Sequence, residues 1–243
     1  MNIAIIFAGG VGKRMCNNAL PKQFMKVNGV PIIVHTLNVF QNNPLIDKIY
    51  ISILPSHRSI LQSMLNLYGI TKVCGIVDGG ATGQDSIYNA LKRAAEENPA
   101  DSTVLIHDGV RPIVTDAVIE RNLTAVAEYG CAITCTPCTE TIIVSRDAAG
   151  VEDIPPRELL HKAQAPQSFR LSEILAAHDT LRATPGGYGN LVDSCSVFRK
   201  VYGRVHLVQG NYGNIKITTP EDVYILKGLL QYLDATNAFG IDE

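Results

Sequence analysis

The sequence predicts an α/β fold in which a mostly parallel sheet is covered by helices on both faces. Short apolar runs alternate with helix-like stretches over most of the chain. The first run leads directly into a glycine loop, and no Pro/Gly/Ser-rich linker divides the 243 residues. One main domain over residues 1–243 is therefore expected. Hydrophobic residues make up 46% and charged residues 18%, enough apolar material for a sizeable core.

Taken in order, Ile3–Phe7 reads as a short buried strand and Pro31–Phe40 as a helix with proline in its first turn. Lys48–Ile53 is a strand, Ser56–Tyr68 a helix with Ser56 as candidate N-cap, and Val73–Val77 a strand. Asp85–Glu97 is a helix, Thr103–His107 a strand, Thr115–Tyr129 a helix and Cys131–Thr136 a strand. Open parallel sheets bind ligands at the carboxyl ends of their strands. That singles out the loops after Phe7, Val77, His107 and Thr136. The rhythm breaks between Thr139 and Lys162, where Thr141–Ser145, Gly150 and Pro155-Pro156 read as a β-rich arm. A helix near Leu171–Arg182, a loop at Gly186, Gly187 and Gly189, a helix near Leu191–Arg199 and a strand at Val205–Val208 follow. The last helix starts after Thr218-Thr219-Pro220-Glu221-Asp222, where a hydroxyl cap, proline and two acids suit a helix N-terminus.

A formal charge of -2 and the absence of Trp give no reason to expect a nucleic-acid partner. No apolar run reaches the roughly 18 residues of a membrane span. Met1–Phe7 lacks the charged and cleavable parts of a signal peptide, so a cytoplasmic location is the expectation. The six Cys then read as reduced thiols. Cys135-x-x-Cys138 has metal-ligand spacing but no second pair, and Cys131, Ile133 and Cys135 alternate as on a strand, which favours core packing.

The first strand opens into Ala8-Gly9-Gly10-Val11-Gly12-Lys13-Arg14-Met15. Glycines let backbone N–H groups approach a phosphate, and adjacent cations complete an anion site. No Lys-Ser or Lys-Thr closes the loop as in a Walker A motif, and the third glycine of a dinucleotide fingerprint is missing. Pro21-Lys22-Gln23 lies just downstream, so Arg14 and Lys22 are candidates to hold a triphosphate. Each remaining candidate also has a plain structural reading. Asp108 with Arg111 would serve as a surface ion pair, Lys216 as the exposed face of an alternating strand, and Ser86 as a polar residue at a helix start. No Gly-x-Ser-x-Gly elbow is present, which disfavours a serine hydrolase.

Seven motifs in order extend the pattern. They are the glycine loop, Pro21-Lys22-Gln23-Phe24, Gly79-Gly80 with Asp85-Ser86, His107-Asp108-Gly109-Val110-Arg111-Pro112, Glu140-Thr141, Ala165-Pro166-Gln167-Ser168-Phe169, and Asn214 through Asp222. Over nearly its whole length the chain resembles the cytidylyltransferases that act on methylerythritol phosphate in isoprenoid synthesis, and their relatives that make CDP-ribitol from ribitol 5-phosphate. The resemblance implies a Rossmann-like nucleotidyltransferase fold with a dimerisation arm at about 139–162. It implies CTP, a polyol phosphate and Mg2+, and a homodimer with shared sites. Ala8, Gly9, Gly10 and Gly12 would wrap the nucleotide phosphates; Gly80 and Ser86 would contact cytosine and ribose. Arg14, Lys22 and Lys216 would be catalytic, and Asp108 would contact the nucleotide and hold Mg2+. Arg111, Thr141, Arg157 and Asp193 would bind the polyol phosphate together with Lys216.

Three positions depart from the family pattern: Gly83 where Arg is usual, and Ala165 and Val192 where Thr is usual. In the family the last two lie near the polyol-phosphate pocket. The spellings Asp193-Ser194-Cys195, Pro-Lys-Gln-Phe and Val110-Arg111-Pro112 favour the ribitol-phosphate branch over the methylerythritol-phosphate branch. The readings from other classes are a non-catalytic nucleotide-binding relative and a nicotinamide-dependent oxidoreductase. The glycine pattern and Lys22 argue against the second.

Overall fold

The computed structural model describes residues 1–9 and 21–239, the last three by their backbone alone. In chain order the strands are β1 (Asn2–Phe7), β2 (Lys26–Val27), β3 (Val30–Pro31), β4 (Lys48–Ile53), β5 (Val73–Asp78), β6 (Thr103–Asp108), β7 (Cys131–Pro137), β8 (His161–Arg170) and β9 (Leu207–Gln209). The helices are α1 (Ile32–Asn42), α2 (Arg58–Leu67), α3 (Gly83–Ala95), α4 (Asp116–Tyr129), α5 (Leu171–Ala183), α6 (Ser194–Tyr202) and α7 (Pro220–Phe239). The main sheet runs β5-β4-β1-β6-β8-β7-β9. Its pairs are parallel except those of β8, which is antiparallel to both β6 and β7.

The period of two in β1 divides the core. Ala4 and Ile6 pack with Leu37 and Phe40 of α1, Leu61 of α2 and Val118 of α4. Ile3 and Ile5 point to the other face, among Leu91 of α3, Ile174 of α5 and Phe198 of α6. Each such isoleucine is fully buried, which contributes about 1.5–3 kcal/mol per side chain. A third apolar cluster joins α7, through Leu226, to Val27, Ile113 and Ile217. Among the described residues no helix is long and apolar enough to cross a membrane.

Several expected boundaries move, each for a local reason. Ser56 does not cap α2: Pro55 starts a 3-10 turn at Pro55–His57, and the helix begins at Arg58 without a side-chain cap. Helix α3 starts earlier than expected, because Thr82 and Asp85 form a reciprocal capping box. Helix α6 starts later, at Ser194, because the Asp193 side chain accepts from the Ser196 N–H. The Asn214–Thr218 run is not a strand; Ile217 N–H donates to the Val110 carbonyl, and side-chain hydrogen bonds hold the rest. The arm's own β character is one antiparallel bridge, Val144 with Asp153, beside a 3-10 turn at Arg157–Leu159. The short β2–β3 hairpin is turned by Asn28 and Gly29, both at positive φ.

Strand β8 has no counterpart in the sequence reading. It holds a proline and buries Gln164, Gln167 and Ser168, so it lacks the apolar alternation of a strand. Tertiary partners satisfy its central polar groups. Ser168 Oγ donates to Asn122 Oδ1 at 2.9 Å, Asn122 Nδ2 donates to Thr134 Oγ1 at 2.8 Å, and Thr134 Oγ1 donates to the Pro166 carbonyl at 2.6 Å.

Candidate active site

The carboxyl ends of β1, β5 and β6 meet where glycines permit close approach. At Gly80 an added Cβ would lie 2.2 Å from Asp85 Cβ, so only glycine fits. Gly80 N–H donates to Ser86 Oγ at 3.0 Å, and Ser86 Oγ–H donates to the Thr82 carbonyl at 2.9 Å. A Cβ on Gly9 would meet the same Ser86 Oγ at 3.4 Å, which places the start of the glycine loop against α3. Ala8 is tied from both sides: its N–H donates to the Ser52 carbonyl at 2.8 Å, and its carbonyl accepts from Gln23 Nε2 at 3.0 Å. Lys22 Nζ donates to the Ile217 carbonyl at 2.8 Å, linking its short turn to the 214–218 segment. Gly10, Gly12 and Arg14 lie outside the described residues.

Asp108 ends β6, with only 8% of its side chain exposed. Arg111 Nε donates to Asp108 Oδ2 at 2.8 Å, and Lys216 Nζ lies 2.5 Å from Oδ1. Arg111 Nη1 also donates to the Asn214 carbonyl at 2.8 Å. Burial by itself pushes the Asp108 carboxyl up, but the charges and hydrogen bonds of Lys216 and Arg111 outweigh it and hold the group below the usual carboxylate range. The pair is thus buried and made threefold by a residue far along the chain, not the surface ion pair of the plain reading. His107 is fully buried beside it, its Nε2–H donating to the Arg111 carbonyl at 2.9 Å; burial pushes its pKa down to about 4.

These charges border a cavity of about 150 Å3 whose walls include the first residues of α3 and α6. The three departures from the family pattern, Gly83, Ala165 and Val192, all line it. So does Asp193, whose carboxylate is engaged on both oxygens. Oδ1 accepts from Ser196 N–H and Oγ–H at 2.8 and 2.6 Å, and Oδ2 from Gln167 Nε2 at 3.0 Å. Gln167 Oε1 in turn accepts from Cys195 N–H at 2.8 Å, so Asp193 and Gln167 fasten α6 to β8. Gln167 belongs to the Ala165-Pro166-Gln167-Ser168-Phe169 motif, and this is the role it plays there. Gln84 and Ser194 also line the cavity, and their only sequence signal is a polar residue just inside a helix cap. Thr141 and Arg157 lie elsewhere, sharing a groove on the arm with Cys138 and His161. Within one chain they do not line the Asp108 cavity.

Cys131 and Cys135 are buried free thiols of β7, and burial raises both pKa values. Among the described residues no three His, Cys, Asp or Glu side chains form a metal-binding group. A magnesium ion brought in with a nucleotide needs fewer protein ligands, because it keeps waters and takes phosphate oxygens. Asp108 could add one ligand to that set, but its Oδ1 and Oδ2 already carry Lys216 and Arg111, so the phosphate oxygens and waters would supply most of the coordination.

Residues 2–231 match the family described as IspD: 2-C-methyl-D-erythritol 4-phosphate cytidylyltransferase. The chain is 42% identical over 240 residues to the ribitol-5-phosphate cytidylyltransferase of Vibrio parahaemolyticus, covering 99% of this chain and 100% of the relative. It is 40% identical over 237 residues to the 2-C-methyl-D-erythritol 4-phosphate cytidylyltransferase of Geotalea uraniireducens, covering 96% and 97%. Among solved structures, the 4-diphosphocytidyl-2C-methyl-D-erythritol synthase of Anaerococcus prevotii superposes with a TM-score of 0.79 at 28% identity, covering 95% of this chain and 96% of that one.

Proposed function

The chain belongs to the 2-C-methyl-D-erythritol 4-phosphate cytidylyltransferase family and is a cytidylyltransferase, and we propose that it transfers CMP from CTP to D-ribitol 5-phosphate, giving CDP-ribitol and pyrophosphate. The observation that carries the acceptor site is the Asp108–Arg111–Lys216 triangle at the mouth of a cavity walled by two helix starts. Helix N-termini favour anions. Lys216 is paired with Asp108 but 40% exposed, and its ammonium has three N–H donors, so it can also reach a phosphate oxygen, while Arg111 is fixed by Asp108 and Asn214. The ribitol branch rests on motif spelling and on relatives named for ribitol 5-phosphate that align from end to end.

In the reaction, an oxygen of the acceptor phosphate attacks the α-phosphorus of CTP. The new P–O bond forms as the bond to the bridging β-oxygen breaks, and pyrophosphate leaves with that electron pair. The attacking oxygen is already ionised, so no general base is required; catalysis rests on positioning and charge stabilisation. Arg111 and Lys216 hold the acceptor phosphate. Lys22 and Arg14 stabilise charge on the triphosphate as pyrophosphate departs. Gly80 and Ser86 hold the nucleoside, and Ala8, Gly9, Gly10 and Gly12 wrap its phosphates. Asp108 would hold Mg2+, which supplies charge neutralisation on the triphosphate when bound.

Thr141 and Arg157 reach an acceptor only from a second copy of the chain. A homodimer joined through the arm is consistent with its exposed apolar side chains, Ile143, Ile154 and Leu159. Pyrophosphate release from each NTP crossed with a panel of polyol phosphates tests the reading. The expected result is turnover with CTP and Mg2+, fastest on ribitol 5-phosphate. A higher kcat/KM on methylerythritol phosphate would move the chain to the other branch, whose relatives are nearly as similar.

A further inference from the structure

Gln84 and Ser194 line the same cavity as Asp108, Arg111 and Lys216, and they are 5% and 1% exposed. Among the described residues, Gln84 Oε1 and Ser194 Oγ have no hydrogen-bond partner. Their backbones are held firmly. Gln84 is the second residue of α3, just inside the Thr82–Asp85 capping box, and Ser194 is the first of α6, just after its Asp193 cap. Gln164 lines the cavity as well, and its Oε1 has no partner among the described residues, but that atom is packed against Gly210, where an added Cβ would collide with it. Buried polar atoms are nearly always paired in folded proteins. Here two unpaired ones, from separate elements, belong to side chains that line one cavity with Arg111 and Lys216.

We propose that Gln84 and Ser194 together bind a hydroxyl of the acceptor's carbon chain and thereby set acceptor choice. The proposal rests on the acceptor being a polyol phosphate. A hydroxyl both donates and accepts: it donates to Gln84 Oε1 and accepts from Ser194 Oγ–H. A methyl group does neither and would leave both atoms buried and unpaired. Sites built to pair a substrate hydroxyl discriminate strongly against analogues that lack it. Ribitol 5-phosphate carries a hydroxyl on every carbon that bears no phosphate, whereas methylerythritol phosphate has one hydroxyl fewer and a methyl branch. The pair therefore favours the unbranched, fully hydroxylated chain.

The test is kcat and KM for both acceptors, at saturating CTP and Mg2+, in wild type, Gln84→Ala, Gln84→Glu and Ser194→Ala. Each alanine variant is expected to raise KM for ribitol 5-phosphate by about tenfold or more, with kcat changed far less, and to shift the acceptor ratio towards methylerythritol phosphate. KM for CTP and the melting temperature should hold, and Gln84→Glu, which keeps an acceptor oxygen, should recover part of the loss. Equal losses on both acceptors, no loss on either, or a wild type that uses only methylerythritol phosphate would overturn the proposal. If the wild type turns over neither acceptor, calorimetric titration with ribitol 5-phosphate separates the two ideas. Binding that weakens in the variants upholds the pair and rejects the proposed reaction; no binding to wild type rejects both.

Discussion

Replacing Asp108 by Asn is the most direct test of the charge triangle. The substitution keeps shape and one acceptor oxygen but removes the charge that two cations share. Breaking a buried ion pair by removing one partner costs about 3–5 kcal/mol, because the other charge stays buried and unpaired. That figure must be reduced here. Arg111, 13% exposed, keeps its bond to the Asn214 carbonyl, and Lys216 is 40% exposed and can turn to solvent. A loss of roughly 2–3 kcal/mol remains. For a chain of this size that corresponds to a melting temperature lower by about 5–10 °C. The assay is thermal unfolding at neutral pH with the single variant, Arg111→Met, and the double variant. The double variant should recover part of the loss, since it removes the stranded guanidinium. The pH dependence has a fixed sign. The folded-state pKa of Asp108 is depressed, so its stabilisation is fully present above the ordinary carboxylate range and is lost as pH falls through the folded pKa. Wild type and Asp108→Asn should therefore converge in strong acid. A single variant that melts within a degree or two of wild type at neutral pH would refute the buried triangle.

Four further outcomes are expected. Lys22→Ala should lower kcat by about a hundredfold or more while the fold survives, since one donor to developing charge is lost; near-normal kcat would remove Lys22 from the mechanism. Arg111→Lys should raise KM for the acceptor far more than KM for CTP, because a point charge cannot reproduce the guanidinium's bonds to Asp108 and the Asn214 carbonyl; equal changes in the two KM values would contradict this. Wild type should be a dimer by light scattering at micromolar concentration, and Ile143→Asp with Leu159→Asp should yield monomers with little activity; a fully active wild-type monomer would count against the shared site. Burial pushes His107 and His178 each down to about 4. The unfolded chain therefore takes up protons below the ordinary histidine value of about 6.5, which the folded chain refuses, and stability should fall as pH drops from about 6.5 towards 4. Melting temperatures across that window should decline in wild type and less steeply in His178→Gln; a flat wild-type profile would show that these histidines are not held neutral.

The strands β1, β4, β6 and β7 and the helices α1, α3, α4 and α5 were legible in the sequence because each buries its own apolar periodicity. The glycine loop, Lys22, Asp108 and Arg111 were legible as chemistry because residue type and order recur as a motif. Two things were not legible, because the partner that decides each is distant in the chain. Strand β8 is specified by buried hydrogen bonds to Asn122 and Thr134 rather than by hydrophobic alternation. The second is the tie of Asp193 to Gln167 of β8: Asp193 lines the cavity, and beside its local bonds to Ser196 it accepts from Gln167 Nε2. Lys216 was legible from motif order as a catalytic candidate, and the fold adds only its partner, Asp108 Oδ1 at 2.5 Å from Nζ. Sequence alone determined most of the apolar strands and helices and the family chemistry they can hold, since periodicity and motif order are local properties. Only the tertiary structure decided that Gly83, Ala165, Val192, Gln84 and Ser194 share one cavity, because that depends on two helix starts meeting at the strand ends, a proximity that no single stretch of sequence encodes.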